Sequence, residues 1–168
     1  MEVVENIIKI LAIVTFIKAV FEYVKGLNWK KSEFLTKEIK DFLNDPKIKS
    51  VCLMLDYNKR FIEINSKSTK IDDDFLIQAL KTHEEKQIFT PEEAFVRDLF
   101  DDFFDKLGFF NIYIKQDLVN RKEVNEYLQY YMDIVSKPGR KPKSLVETFS
   151  NYIEYYDFKN AKELLTRV

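Results

Sequence analysis

The chain has 168 residues, with 27 Lys and Arg against 28 Asp and Glu, so its net charge of −1 supplies no global field to gather nucleic acid or anionic lipid. One cysteine, Cys52, excludes an intrachain disulfide and a multi-cysteine zinc site, and a single histidine, His83, leaves no ligand set for a histidine-based metal centre. Three Gly and four Pro against 15 Phe and 9 Tyr favour long helices packed through aromatic rings, and the length fits one domain plus an appended helix.

The first element is the run Ile7 to Lys25, IIKILAIVTFIKAVFEYVK, whose mean hydropathy sits at the threshold for a membrane-spanning helix. Lys9, Lys18 and Glu22 interrupt it, leaving only Ile10 to Ile17 without a charge. Spanning is compatible with these charges, because Lys9 and Lys18 can snorkel in opposite directions and Glu22 lies four residues after Lys18, where the two neutralise each other. The competing expectation is a soluble protein in which this helix is buried centrally or in a dimer. A cleaved leader is not expected, since MEVVEN carries Glu2 and Glu5 in place of a positive segment.

Residues 1–27 therefore read as a long apolar N-terminal helix and membrane anchor, and residues 28–168 as a helical cytosolic domain. Seven Lys between Lys25 and Lys49 place the carboxyl side of a spanning helix in the cytoplasm, with Tyr23 and Trp29 at the interface. This predicts an inner-membrane protein; the soluble reading predicts a cytoplasmic one. Ala12, Thr15, Lys18, Ala19 and Glu22 recur by three- and four-residue steps, a small and polar face suited to a helix-to-helix seam of a homo-oligomer or to a pore lining.

From Asn28 the pattern is amphipathic, with Leu35, Ile39, Phe42 and Leu43 inward, and the helix is expected to bend near Gly26. Asp45-Pro46 signals a new helix start, with a buried stripe of Ile48, Val51, Cys52 and Leu55 and an end near Asp56. Tyr57 to Arg60 read as a turn. Phe61, Ile62 and Ile64 then pair with Ser68 to Ile71 as a short hairpin across Asn65 to Lys67, the single sheet expected in an otherwise all-α bundle. Asp72, Asp73 and Asp74 place negative charge at the start of the next helix; they lack the spacing and glycine of a calcium loop.

Thr90-Pro91-Glu92-Glu93 carries a capping box, predicting a helix that stops at Gly108 with Phe95, Leu99 and Phe103 in its core stripe. Asp98, Asp101, Asp102 and Asp105 share its other face and read as solvated. Phe109 to Leu118 read as a short helix or extended connector. Asn120 and Glu123 open a helix carrying Val124, Tyr127, Leu128, Tyr131 and Val135, ended by Pro138 and Gly139, and two helices around Leu145 to Tyr156 and Phe158 to Leu165 close the chain.

Lys137, Arg140, Lys141 and Lys143 form the one concentrated basic loop, and with Arg121 and Lys122 they are the candidate site for an anionic ligand, an oligonucleotide or lipid headgroups. Tyr152, Tyr155 and Tyr156 offer stacking surfaces beside it. No residue set combines nucleophile, base and stabiliser, so neither an enzyme nor a cofactor is expected.

The stretch FEYVKGLNWKKSEFLTKEIKDFLNDPKIK, Phe21 to Lys49, resembles a family of small bacterial proteins of unknown function in which a membrane helix leads into a Trp-Lys-x-x-Glu-Phe segment, here Trp29 to Phe34. The later stretch DLFDDFFDKLGFFNIYIKQDLVNRKEVNEYLQYYMDIV is similar to that family's helix, connector and helix. The resemblance implies a membrane anchor with a helical cytosolic domain and carries no catalytic residues. Small proteins of this build suggest, by analogy, a sensing or effector role in antiviral defence, including oligomeric channels.

Overall fold

The structure is a computed structural model that describes residues 2–64 and 66–166, with the side chains of 5–7 and of 9 onward. Asn65, expected in the hairpin turn, lies outside the described residues. The chain is mostly helical with one antiparallel hairpin, in the order α1 (Glu2–Asn44), α2 (Pro46–Asp56), β1 (Lys59–Ile64), β2 (Lys67–Asp72), α3 (Asp73–Ala79), α4 (Pro91–Lys115), α5 (Arg121–Ser136), α6 (Lys143–Tyr155) and α7 (Lys159–Thr166). It divides into two compact units, Met1–Glu38 and Ile39–Val168.

The first unit is one helix, and α1 continues through Gly26, where a bend was expected, into the amphipathic segment. Gly26 has open space around it and a helical backbone, so it interrupts nothing. Every described side chain from Glu5 to Lys30 is exposed. Among the described residues no helix is long and apolar enough to cross a membrane.

The second unit is built on α4, which packs against α2, α3 and α7, while α6 packs against α3, α5 and α7. Phe100, Phe103, Phe104, Leu107 and Phe110 of α4 are buried with Phe42, Phe149 and Tyr152. Phe42 meets Phe110 edge-on at 5.4 Å and Phe103 at 5.8 Å, and Phe100 stacks on Phe149 at 5.6 Å. Each such ring removes apolar surface worth about 1.5–3 kcal/mol from water. Phe95, expected in this stripe, is exposed at the α4 rim.

Starts follow the capping residues. The Asp45 carboxylate accepts from the amides of Lys47 and Ile48, Asp72 from Phe75, and Asn120 from Glu123. Thr90 and Glu93 close a reciprocal box at α4, satisfying two amides that the helix leaves without partners. The hairpin pairs Phe61 with Lys70 and Ile64 with Lys67, so Lys59 and Arg60, expected in a turn, already belong to β1.

α5 stops at Ser136, just before Pro138 and Gly139 as expected, but α4 does not follow the glycine rule. Instead of ending at Gly108, α4 runs seven residues further to Lys115 and takes in most of the expected connector. A Cβ at Gly108 would lie 3.2 Å from Asn160 Cβ and 3.3 Å from the Ala161 amide nitrogen, so the glycine permits close approach of α7. The stop comes at Asp117, which has φ 54°, while Leu118 donates to Tyr113 O and Asp117 to Ile114 O. The end of α6 repeats this left-handed cap at Asp157, with Phe158 donating to Ile153 O and Asp157 to Glu154 O.

Candidate functional site

On α1, Ile7, Ile10, Val14, Ile17, Phe21 and Val24 follow alternating three- and four-residue steps. Ile13, Phe16, Val20 and Leu27 form a second row beside them. At about 100° per residue the two rows cover about 180° of the helix, wider than the ~100° stripe that packs on a globular core. The described large apolar side chains from Ile7 to Trp29 are 41 to 72% exposed.

Ala12, Thr15, Lys18, Ala19 and Glu22 share the opposite arc. Thr15 Oγ1 donates to Leu11 O at 2.9 Å, which satisfies the hydroxyl within the helix. Lys18 and Glu22 lie 3.8 Å apart as an exposed pair, and Lys9 pairs with Glu5 at 2.7 Å one turn from the chain start.

The basic loop does not converge on one site. Lys137 bonds Asp133 at 2.8 Å, Lys143 lies 3.3 Å from Glu147, and the Arg140 guanidinium sits 4.5 Å over the Tyr130 ring. Arg121 donates to Leu164 O, tying α5 to α7, and Lys122 is exposed. Lys141 departs furthest from its expected role. Its side chain is only 1% exposed and its ammonium donates to Met54 O at 3.3 Å, Tyr57 O at 3.1 Å and Asp73 at 2.8 Å. It therefore holds the carboxyl end of α2 to the amino end of α3, where the helix dipoles favour a cation and an anion respectively, and is not a surface anion ligand.

The aspartate face of α4 is also more divided than expected. Asp98 and Asp105 are exposed and Asp102 pairs with Lys47 at 2.5 Å, but Asp101 is half-buried and accepts from Tyr152 Oη at 2.6 Å. Burial pushes the Asp101 carboxyl above its ordinary range, against the opposing pull of Tyr152 and of the Arg97 charge. Burial likewise raises the Tyr152 phenol, which keeps its proton and donates it to Asp101.

Sequence reasoning missed Arg97. Its guanidinium is buried 4.1 Å over Phe89, near Tyr152 and Tyr156, and donates to Ala79 O at 2.8 Å, Lys81 O at 2.7 Å and Tyr156 Oη at 2.6 Å. It caps the end of α3 while pinning α4 to α6. The available signal was the four-residue ladder Glu93, Arg97 and Asp101, alternating in sign along one side of α4. Burial works against charge on Glu93, but donation from Lys86 and the Thr90 amide prevails and its carboxyl sits below the ordinary range.

Tyr152 is buried, so of the three tyrosines expected as a stacking surface only Tyr155 is exposed and Tyr156 partly so. Cys52 is a buried core residue whose thiol burial pushes up to about 11, keeping it protonated and unreactive. Among the described residues no group of three His, Cys, Asp or Glu is placed to hold a metal ion. No family model, curated protein or solved structure matches the chain.

Proposed function

We propose that this chain is a membrane-associated helical interaction protein that works as a homo-oligomer, with α1 as its assembling and lipid-facing element and residues 39–168 as a helical module on the cytoplasmic side. The observation that carries the reading is the exposure of the described large apolar side chains from Ile7 to Trp29. Such a surface far exceeds the scattered apolar side chains of an ordinary soluble exterior. Tyr23 and Trp29 near its carboxyl end, followed by the lysine-rich stretch to Lys49, supply an interfacial belt and a basic flank.

No single described helix is apolar enough to cross a bilayer, which is why the proposal includes assembly. If several copies turn Thr15, Lys18 and Glu22 toward one another, that arc leaves the lipid and the apolar half of each helix meets it, with Lys9, on the apolar half near its start, reaching out to the interface. A sensing or effector role in antiviral defence, with the polar arc as a seam or pore lining, is the further extension of this reading. It is supported by the arrangement of the arc.

The second reading is a soluble oligomer. The steps Ile7, Ile10, Val14, Ile17, Phe21 and Val24 favour it, since they also fit a coiled-coil seam buried helix against helix in water. Fractionation of cells expressing the full chain separates the two. The membrane reading expects the protein in the pellet, resistant to a high-salt wash and released by detergent; a detergent-free supernatant containing all of it overturns that reading. Cysteine crosslinking then reports the inward arc. Thr15→Cys should form dimers and Ile17→Cys should not if lipid surrounds the assembly, with the reverse result if water does.

A further inference from the structure

We infer that the cleft between the ends of α5, α6 and α7 is a binding site for a small amphipathic carboxylate, an anion with an apolar body of about eight carbons. The cleft encloses about 300 Å³. That is the lower end of the range for small-molecule sites and too small for an oligonucleotide. It exists because α5 stops at Ser136 before Pro138 and Gly139, while the left-handed cap at Asp157 turns α7 back along α6.

The floor is apolar, formed by Val135, Val146, Ile153 and Leu165, and all four are buried. Its rim carries the hydroxyls of Ser136, Ser150 and Thr166 and the ammoniums of Lys137 and Lys162. Ser136 and Thr166 already donate to carbonyls of their own helices at 2.7 and 3.0 Å, so the groups left to donate to a carboxylate are the two ammoniums. Lys137 bonds Asp133 and Lys162 bonds Glu154, each through one of the three donors an ammonium carries. Both lysines are about half exposed, and surface pairs of this kind are worth only about 0–1 kcal/mol, so they do not bar a second carboxylate.

Charge distinguishes this cleft from two others of similar size. The cleft lined by Thr82, Glu84, Glu85 and Glu154 repels an anion, and the one between α4 and α7 presents Asp105 and Asp157 beside a single lysine, Lys159. Only the α5–α6–α7 cleft, of the three, joins two cations to a closed apolar floor.

The test uses the full-length protein in whichever medium it purifies, lipid nanodisc or plain buffer, titrated with octanoate and with octanol as the neutral control. Lys137 and Lys162 lie in the cleft and not on α1, so a change in octanoate binding on replacing them reports the cleft. Saturable one-to-one octanoate binding is expected, about tenfold tighter than octanol, with ligand-to-protein NMR contacts to the Val146 and Leu165 methyls. Lys137→Met and Lys162→Met should each weaken octanoate about fivefold and leave octanol unchanged. Ser150→Trp, an exposed position on the rim, should abolish the methyl contacts while circular dichroism stays native; if that variant misfolds, the lysine pair still decides. Equal affinity for the two ligands, binding indifferent to both lysines, or no saturable binding overturns the inference.

Discussion

Ile7 to Leu27 of α1 and Val96 to Phe110 of α4 are built from similar residues, yet Phe16 is 70% exposed and Phe103 is fully buried. The difference lies in what surrounds each. Along α4, the apolar rows are flanked by a ladder that bonds outward, Glu93 to Lys86, Arg97 to the end of α3 and Asp101 to Tyr152, so neighbouring elements are held over the rings. Along the first turns of α1 the polar contacts stay within the helix, Lys9 to Glu5, Thr15 to Leu11 and Lys18 to Glu22. Apolar content alone therefore does not make a core; polar side chains with distant partners decide which apolar face is covered by the chain itself.

The strongest way to break this comparison is to cut the same ring from both helices. Phe103→Ala should cost about 3–5 kcal/mol of unfolding stability in the 39–168 unit, because it leaves a cavity among Phe42, Phe100 and Phe104. Phe16→Ala should change that stability by less than about 0.5 kcal/mol. Denaturant titration followed by circular dichroism reads both. A large loss at Phe16 would mean that α1 is covered after all, within an assembly whose dissociation is part of unfolding.

The next effect concerns polar groups. Lys141→Met should lose about 3 kcal/mol, since it leaves Asp73 and the Met54 and Tyr57 carbonyls without the cation that joins them. Lys143→Met, two residues on, removes only an exposed pair with Glu147 and should be silent in the same thermal melt. Equal effects would show that the loop is a solvated linker and that Lys141 is not a clamp.

These two lysines also mark how far the sequence was legible. Helix starts were readable because their signals are local: Asp45, Asp72, Thr90 and Asn120 each bond amides two or three residues away. The hairpin followed from alternation next to a short polar turn. The stop at Asp117 was not readable, because there aspartate occupies a conformation usually given to glycine; the break at Asp157, of the same kind, was placed between the two closing helices. Lys141 and Arg97 were hidden for another reason. Their partners Asp73 and Tyr156 stand 68 and 59 residues away, and nothing in a charge run says which of its members turns inward. The apolar arc of α1 was visible from the sequence; that it stays exposed was not, since the same run suits a central core helix.

The smallest effects are the sharpest test, because two mid-helix glycines should respond with opposite sign. Alanine gains about 1 kcal/mol of helix propensity over glycine wherever its methyl has room. At Gly26 nothing lies within 4 Å of the added carbon, so Gly26→Ala should firm α1 by about that amount, seen as slower amide exchange around residues 22–30 in the monomeric protein. At Gly108 the methyl meets Asn160 Cβ and the backbone of Ala161, and overpacking of this kind costs about 1–3 kcal/mol, enough to cancel the gain. Gly108→Ala should therefore melt a few degrees lower, about 2–4 °C per kcal/mol for a unit of this size. Stabilisation at Gly108 would show that α7 slides freely and that the close approach constrains nothing. At Gly26 the oligomer adds a further discrimination, because this glycine continues the arc of Thr15, Lys18 and Glu22 by a four-residue step. If that arc is where copies of α1 meet, Gly26→Ala should firm the lone helix and yet lower the assembled fraction, a split that no lipid-free, single-chain account of α1 produces.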